Sequence, residues 1–476
     1  MPYAPAGWHA PIVPRPANDG LPTLVALPDT LIGTSLMAST YLNFCGANLG
    51  LGGGDGYTPW DGTYYLDGGW LGELALGPLP PSGTARVNLP SPFLIGGGRH
   101  TLTLRTNVHR YEEESTYDDN AYAEQYCWSP WVLSFYQIWS RPAPPDAWAD
   151  QGDLGSGETY YPNCDGFRLP PSDGNSTGTW RAVAVMPRGT SDVDVALHPP
   201  LTGVKNGFAA TLAVSDWGAM HSDWILVRDG LTSSAPYDVG VRRGSGTEGY
   251  AIQAVEPTQA YYLTDYLTVP GTIGNGEILH LIDICPPATG TMELCLDNVA
   301  GTVNWGLAVY DYDDGAVQAK SDGLLANDSG PGGSECLTLT VTQPWRVYAV
   351  VVYKTGSPDL DLIGSYNLRL GSNVTAAPDP DPVPARTALL GAAPNPFNPR
   401  TVVRYELDRA APVRLTIHDA AGRRVRTLVA GEQAAGRHEA LWDGRLDVGA
   451  AAPSGVYFCR LEAGECRQTV KLTLLK

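Results

Sequence analysis

The sequence predicts an all-β protein, built as a tandem array of four β-sandwich domains. Gly (55) and Pro (40) make up a fifth of the 476 residues, Val, Thr, Tyr and Trp are plentiful, and long helix-forming runs are missing. Polar and apolar residues alternate in stretches such as 99–105, as they do in a strand with one buried face. At roughly 100–200 residues per domain, the chain is too long for one sandwich.

Clusters of Pro, Gly and Asp mark the predicted domain boundaries. The clearest is Ala-Ala-Pro-Asp-Pro-Asp-Pro-Val-Pro at 376–384, a run that must be extended and fairly stiff. A second boundary lies at 141–146 and a weaker one near 269–271. The predicted parts are a Pro-rich segment at 1–19, sandwiches at 20–140, 148–265 and 266–372, a linker at 373–388 and a final sandwich at 389–476.

The charge is negative and unevenly distributed. A formal net charge of -19 argues against non-specific binding to nucleic acid, because a polyanion repels such a surface. Residues 389–476 hold 13 Lys or Arg against 9 Asp or Glu, which leaves 18 against 41 for the rest of the chain. An acidic body therefore carries a mildly basic final domain.

The N-terminus gives no sign of a targeting segment. Residues 1–20 are Pro-rich and lack the basic start and apolar core of a signal peptide. No run approaches the ~18 apolar residues of a membrane span. If the protein is exported, we expect its signal to have been removed or its true start to lie upstream.

The eight cysteines contain no C-x-x-C pair, which disfavours zinc ribbons and thioredoxin chemistry. An even number fits disulfides formed outside the cytoplasm. Cys459 and Cys466 flank a short turn, so they can form a bridge across a hairpin if the strand register allows it. The alternative is that both are small buried hydrophobic residues.

No catalytic motif is present, and we expect the protein not to be an enzyme. The sequence has no H-E-x-x-H zinc helix, no G-x-S-x-G nucleophile elbow and no P-loop. Acidic clusters are the remaining candidates: Asp311, Asp313 and Asp314 beside Gly315 could hold calcium or form a solvated turn. Weaker calcium candidates are the run 112–119, the pair Asp192 and Asp194, and the pair Asp359 and Asp361.

Aromatic residues crowd the end of the first predicted sandwich. They are Trp128, Trp131, Tyr136, Trp139 and Trp148. Their rings could stack on a glycan, but packing in a core or between domains is the favoured interpretation.

The final domain has the most specific pattern. The segment Pro-Asn-Pro-Phe-Asn-Pro at 394–399 fixes an extended opening with Phe397 as an apolar plug, Gly422 allows a hairpin turn, and Trp442 is the expected core aromatic. With Trp-Asp-Gly and Ser-Gly-Val-Tyr further on, this order resembles the type IX secretion C-terminal sorting domain, related to the Ig-like domain of the flagellar hook-capping protein. The motif residues are Pro394, Asn395, Pro396, Phe397, Asn398, Pro399, Trp442, Asp443, Gly444, Ser454, Gly455 and Tyr457.

Weaker resemblances cover the body. Residues 64–68 and 97–102, with an acidic run that closes on Asp119 and Asn120, resemble the bacterial CARDB domain, which implies an Ig-like sandwich for 20–140. Strand-like runs at 305–311, 336–341, 347–353 and 364–370 resemble the bacterial pre-peptidase C-terminal domain, which implies jelly-roll-like sandwiches for 148–372.

Together these features predict a secreted, non-catalytic structural or adhesion protein of the bacterial cell surface. The resemblance of 389–476 implies delivery by a type IX-like route, with the outer-membrane secretion machinery as partner. Self-association into a filament or matrix, or binding of surface glycans, would be the work of the body. The alternative is that the chain is the accessory C-terminal part of a larger secreted peptidase or other hydrolase, whose catalytic domain lies upstream.

Overall fold

The computed structural model describes all residues except 19–36, 49–59, 78, 107–119, 150–152, 155–158, 172–179, 202, 204, 206, 229–235, 258–259, 263–266, 301, 312–315, 327–329, 332, 345, 372–385, 394, 396, 398–400, 434, 443, 448–450, 465 and 476. Within the described part the regular structure is β-strand with short 3-10 turns, which confirms the all-β prediction. No helix among these residues is long and apolar enough to cross a membrane. The chain forms two compact units, Met1–Ser372 and Asn373–Lys476, and the division falls where the 373–388 linker was predicted to begin.

The strands of the first unit follow one another through the chain. The first ten are β1 (Ile12–Arg15), β2 (Met37–Ala47), β3 (Trp60–Leu66), β4 (Gly69–Gly77), β5 (Thr84–Asn88), β6 (Phe93–Gly96), β7 (Gly98–Thr106), β8 (Ala121–Trp128), β9 (Trp131–Val132) and β10 (Ile138–Arg141). The next are β11 (Cys164–Leu169), β12 (Trp180–Pro187), β13 (Asp192–His198), β14 (Ala213–Ser215), β15 (Asp223–Arg228), β16 (Tyr237–Ser245), β17 (Tyr250–Val255) and β18 (Ala260–Tyr262). The last are β19 (Leu267–Ile273), β20 (Leu279–Cys285), β21 (Gly290–Ala300), β22 (Trp305–Asp311), β23 (Val317–Ala319), β24 (Leu324–Leu325), β25 (Glu335–Val341), β26 (Tyr348–Lys354) and β27 (Gly364–Gly371).

These strands form five sheets separated by four apolar layers. A four-stranded sheet (β1-β2-β5, with β6 on β2) packs on one part of a nine-stranded sheet (β14-β13-β16-β11-β7-β3-β4, with β8 on β7 and β9 on β11). Another part of the nine-stranded sheet packs on the first middle sheet, β10-β17-β12-β15-β23. That sheet packs on the second middle sheet, β18-β20-β26-β22-β24, which packs in turn on the outer sheet, β19-β27-β21-β25.

The two middle sheets are buried on both faces, and their sequences show why. In β12, Ala182 and Ala184 face the second middle sheet, whereas Val183 and Val185 face the nine-stranded sheet. Every residue of β12 is buried, as is every residue of β26 on the other side of the layer. A strand with two apolar neighbours needs a continuous apolar run rather than alternation, so such runs mark the interior sheets.

Hydrogen bonding crosses two of the predicted domain boundaries. Strands from 20–140 and 148–265 share the nine-stranded sheet, where β11 pairs with β7 at Cys164↔Arg99. The short β23, from the third predicted sandwich, pairs with β15 of the second at Ile225↔Ala319. Strand pairing therefore continues past the boundaries predicted at 141–146 and 269–271.

The second unit is a sandwich of two sheets, β28-β29-β32 and β31-β30-β33-β34. Its strands are β28 (Ala388–Ala393), β29 (Thr401–Leu407), β30 (Ala411–Asp419), β31 (Arg424–Gln433), β32 (Gly436–Trp442), β33 (Gly455–Ala463) and β34 (Cys466–Leu474). The predicted hairpin turn joins β30 to β31: Gly422 has a φ of +78°, and its N–H donates to the Asp419 carbonyl at 2.9 Å.

The cysteines pair differently from the bridge considered in the sequence. Cys459 lies opposite Val470 and Cys466 opposite Ala463, so the register separates the two thiols and both are free. Cys459 is fully buried, as expected for the alternative of a small apolar residue. The disulfide of the structure joins Cys295 on β21 to Cys336 on β25, which lie directly opposite each other.

A buried ammonium group ties loops to the second middle sheet. The Lys354 Nζ at the end of β26 donates to the carbonyls of Gly274, Leu360 and Leu362 at 2.7–2.9 Å. Burial lowers the pKa of Lys354 to about 8, and the nearby carboxylates Glu277 and Asp359 oppose that shift. The charge is retained because its three donors are fully used.

We expect Lys354→Met to destabilise the first unit by about 2–4 kcal/mol, because three carbonyls, buried or partly buried, lose a charged donor. The measurement is urea unfolding of the full chain at pH 7, with limited proteolysis to locate the unit that unfolds. Arg369→Met is the control: Arg369 pairs with Asp297 on an exposed surface, where solvent screening leaves little stability to lose. Equal effects of the two substitutions would contradict the account of Lys354.

Candidate functional site

The opening segment of the final sandwich docks on its last strand. Asn395 bridges to β34 twice: its Nδ2 donates to the Lys471 carbonyl at 2.7 Å, and its Oδ1 accepts the Thr473 N–H at 2.8 Å. Phe397 then pairs with the same strand, donating from its N–H to the Thr473 carbonyl at 2.9 Å and accepting from the Leu475 N–H at 2.8 Å. The motif near the start of the domain therefore clamps the C-terminal strand.

The aromatic residues of the motif form the core beneath this clamp. Trp442 is fully buried, and its ring centroid lies 5.3 Å from that of Phe397 and 5.0 Å from that of Tyr457. The Trp442 indole N–H donates to the Arg445 carbonyl and the Tyr457 hydroxyl to the Pro453 carbonyl, at 2.9 and 2.7 Å. Buried aromatic residues with polar tips need such partners, and here they fix the loop between β32 and β33.

The remaining motif residues fall into two groups. Gly444 follows the core tryptophan with a φ of +69°, while Ser454 and Gly455 are exposed at the start of β33. The others, Pro394, Pro396, Asn398, Pro399 and Asp443, lie outside the described residues.

The calcium candidate at Asp311 is only partly described. Its carboxylate Oδ1 accepts a hydrogen bond from the Arg346 guanidinium at 2.5 Å, so an arginine already compensates this charge. Asp313 and Asp314 lie outside the described residues. Calcium at this turn stays a prediction.

A second acidic cluster surrounds the predicted pair Asp192 and Asp194. The fold brings Asp216 and Asp223 close enough to repel the Asp194 carboxylate. Burial, followed by repulsion from Asp192, raises the pKa of Asp194 to about 7, while burial raises that of Asp223 to about 6. Asp216 and Asp223 come from a different part of the sequence and carried no signal there.

Metal-ligating atoms converge elsewhere in the part of the chain that the structure describes. The group of three whose donor atoms meet is Glu293, Cys295 and Cys336, and its two sulfurs are joined in the disulfide. Calcium at Asp192 and Asp194 stays a prediction.

The aromatic residues at the end of the first predicted sandwich divide between core and surface. Trp128 is fully buried, and Trp131 packs edge-on against Trp139 with centroids 5.7 Å apart. Tyr136 and Trp148 are largely exposed, at 47% and 59%. Core packing thus accounts for part of the group, and the rings of Tyr136 and Trp148 reach the surface.

Tyr136 contributes to a cavity of about 320 Å³ that sequence reasoning missed. We call it the junction pocket; it lies beside the ends of the two middle sheets and the outer sheet. Its polar wall consists of Tyr136, Glu256, Tyr261, Glu277, His280 and Tyr366. These residues come from five separate segments, so no local sequence motif predicts the pocket. The nearest signal in the sequence is a set of tyrosines and glutamates near strand ends.

Comparison with known proteins bears mainly on the second unit. Residues 398–465 match the family model of the FlgD Ig-like domain, which confirms the resemblance of the final sandwich to the hook-capping Ig-like domain. No curated protein sequence matches the chain. The CARDB resemblance of residues 20–140 stays a prediction.

The solved structures that are similar to this chain include the following three. One is the pre-peptidase C-terminal domain of a collagenase from Bacillus anthracis, a member of the family predicted for 148–372. The two are 14% identical, the match covers 24% of this chain and 97% of that one, and the TM-score is 0.19. Another is tripeptidyl peptidase 2: 8% identity, 98% of this chain and 40% of that one, TM-score 0.20. The third is dimeric latent PorU from Porphyromonas gingivalis: 11% identity, 81% of this chain and 35% of that one, TM-score 0.17. The chain thus spans less than half the length of the last two proteins.

We expect Asp194→Asn to stabilise the first unit by about 1–2 kcal/mol at pH 8 and to have little effect at pH 4, with allowance for solvent screening. The unfolded carboxyl loses its proton near pH 4 and the folded one only near pH 7, so the folded state is penalised progressively between these values. Thermal unfolding across this range measures it. A control is Glu293→Gln, an exposed carboxyl on β21. A gain that is the same at both pH values would contradict the assignment.

Proposed function

We propose that this chain is a non-catalytic protein of the bacterial cell surface. Residues 1–372 have the structural or adhesion role, and residues 389–476 are the sorting signal for a type IX-like secretion route. The observation that carries the proposal is the match of 398–465 to the FlgD Ig-like domain, the fold to which the sorting domains are related. The outer-membrane secretion machinery is the proposed partner of this unit.

The geometry of the second unit suits a domain that is recognised from outside. Asn395 and Phe397 fasten the C-terminal strand, so β34 is presented as part of a folded sheet rather than as a loose tail. The face of β33 and β34 opposite the core carries Arg467 and Lys471 beside the partly exposed Phe458, and Arg460 on the same face pairs with Glu462 at 3.0 Å. Basic and apolar groups together favour contact with an anionic protein surface.

The body supports an architectural role. Its middle sheets are closed in on both faces, and its buried lysine charges at 320 and 354 are held by backbone carbonyls. Such groups stabilise the stack of sheets and are inaccessible to a substrate. The function of the body therefore lies on its surfaces and sheet edges, where self-association or glycan binding would take place.

The strand β25 is the clearest edge for self-association. It ends the outer sheet, pairing with β21 alone among the described strands, and its exposed side chains include Thr338 and Thr340. A strand with one unpaired edge can add a strand from another molecule. The disulfide from Cys336 to Cys295 on β21 holds this edge in register.

We expect the full chain, supplied with a signal peptide in a bacterium that has type IX secretion, to reach the cell surface. A chain ending at residue 388 is expected to remain in the periplasm, because it lacks the sorting unit. Surface protease accessibility measures the difference, and a strain without the translocon is the control. Equal surface display of the two chains would overturn the proposed route.

We expect the purified chain to form oligomers as its concentration rises, and Thr338→Pro to reduce their fraction, because proline blocks backbone pairing. Light scattering over a concentration series measures this. The matched control is Thr340→Lys, which alters the same face of β25 and keeps the backbone N–H of residue 340. A proline on the neighbouring β21, such as Thr291→Pro, is not suitable because it would break the fold. A wild-type chain that stays monomeric throughout would contradict self-assembly and leave the export proposal untouched.

A further inference from the structure

The junction pocket has a wall of fixed polar groups. The hydroxyl of Tyr366 lies 3.0 Å from His280 Nδ1, and His280 Nε2 lies 3.8 Å from the Glu277 Oε2. The same Glu277 oxygen accepts the Gly274 N–H at 2.5 Å. The close His280 ring and the Gly274 N–H lower the pKa of Glu277 below its ordinary value, so this side chain is a carboxylate at neutral pH.

Two of the tyrosine rings are held in place, one by a close glycine and the other by its own backbone conformation. A Cβ at Gly271 would lie 2.2 Å from the ring of Tyr366, so glycine is required for that ring to reach the pocket. Tyr136 has a φ of +63°, a conformation that a bulky residue adopts only when its surroundings impose it. Its N–H donates to the Ala254 carbonyl at 2.9 Å and its hydroxyl to the Glu256 carbonyl at 3.2 Å.

The same protein shows what a group of aromatic rings and a carboxylate can hold. The Lys320 Nζ lies 4.4 Å from the ring centroid of Trp217, 4.6 Å from that of Trp224 and 5.2 Å from that of Tyr353. It donates to the Ser222 carbonyl at 2.5 Å, and the charge of Asp223 acts on it. An ammonium ion is thus enclosed by ring faces with a negative group nearby.

The junction pocket repeats this set of groups around an open cavity. Three tyrosines supply ring faces and the Glu277 carboxylate supplies negative charge, while Glu256 is almost fully buried in the same wall. The part of the chain before residue 389 carries 18 basic against 41 acidic residues, a field that attracts cations and repels anions. Size, charge and aromatic faces agree on a small organic cation.

We infer that the junction pocket binds a primary alkylammonium group, either as the side chain of a lysine on a partner or as a free diamine. The charged nitrogen would contact the tyrosine faces and the Glu277 carboxylate, and the alkyl chain would lie along Val269 and Leu281, which also line the cavity. The inference is independent of the export route. It assigns the body a specific ligand chemistry.

Isothermal titration of the full chain tests this with 1,5-diaminopentane and with Nα-acetyl-lysine methylamide. We expect saturable one-site binding of at least one of them, and at least tenfold weaker binding of the neutral 1,5-pentanediol and of a methyl glucoside. The stronger of the two amines identifies the source as free diamine or lysine side chain. Binding of the diol or the glucoside as tight as that of the amines would overturn the inference.

Substitutions locate the binding. Glu277→Gln is expected to weaken the amine at least fivefold, and Tyr136→Asn likewise, because asparagine tolerates positive φ and removes only the ring. The control Glu293→Gln removes an equal charge from an exposed position on β21 and should leave affinity unchanged. Equal weakening of amine binding by all three substitutions would show attraction to the overall negative charge. Unchanged affinity in all three would mean that the amine binds elsewhere. Either result would overturn the site.

Discussion

The first unit depends on the apolar layer between its two middle sheets, and Trp224 is the centre of that layer. Its indole N–H crosses from β15 to the hydroxyl of Tyr310 on β22 at 2.8 Å, and its ring lies 4.4 Å from that of Tyr353 on β26. The Tyr310 hydroxyl in turn donates a hydrogen bond to the Lys320 carbonyl. Each middle sheet packs on a further sheet behind it, so loss of this layer would separate the stack into two halves.

Two charged lysine side chains are buried inside this stack of sheets. Lys320 and Lys354 both lie where connections pass between sheets, and burial lowers the pKa of each to about 8. Each is satisfied in a different way: Lys354 by three carbonyls, Lys320 by ring faces, one carbonyl and a nearby carboxylate. A buried ammonium with such partners fixes one arrangement of the surrounding chain, because any other arrangement leaves it unpaired.

The two units divide the proposed work between them. In the second unit, a small aromatic core and the clamp formed by Asn395 and Phe397 hold the last strand in the sheet. This arrangement needs only a few residues. The first unit uses its length to bring distant segments together. The junction pocket and the acidic cluster around Asp194 both arise in this way, from side chains that share no local pattern.

The sequence by itself determined the β class and the final sandwich, because these depend on alternation, on proline and glycine, and on contacts close along the chain. Gly422 in its turn and Trp442 in its core are examples. Only the tertiary structure decided which strands pair across the boundary at 141–146, that Cys295 faces Cys336 while Cys459 and Cys466 stay apart, and that Tyr136, Glu277 and Tyr366 meet. A one-residue change of register reverses every side chain of a strand, and long-range pairing sets that register, so no local signal could have revealed these contacts.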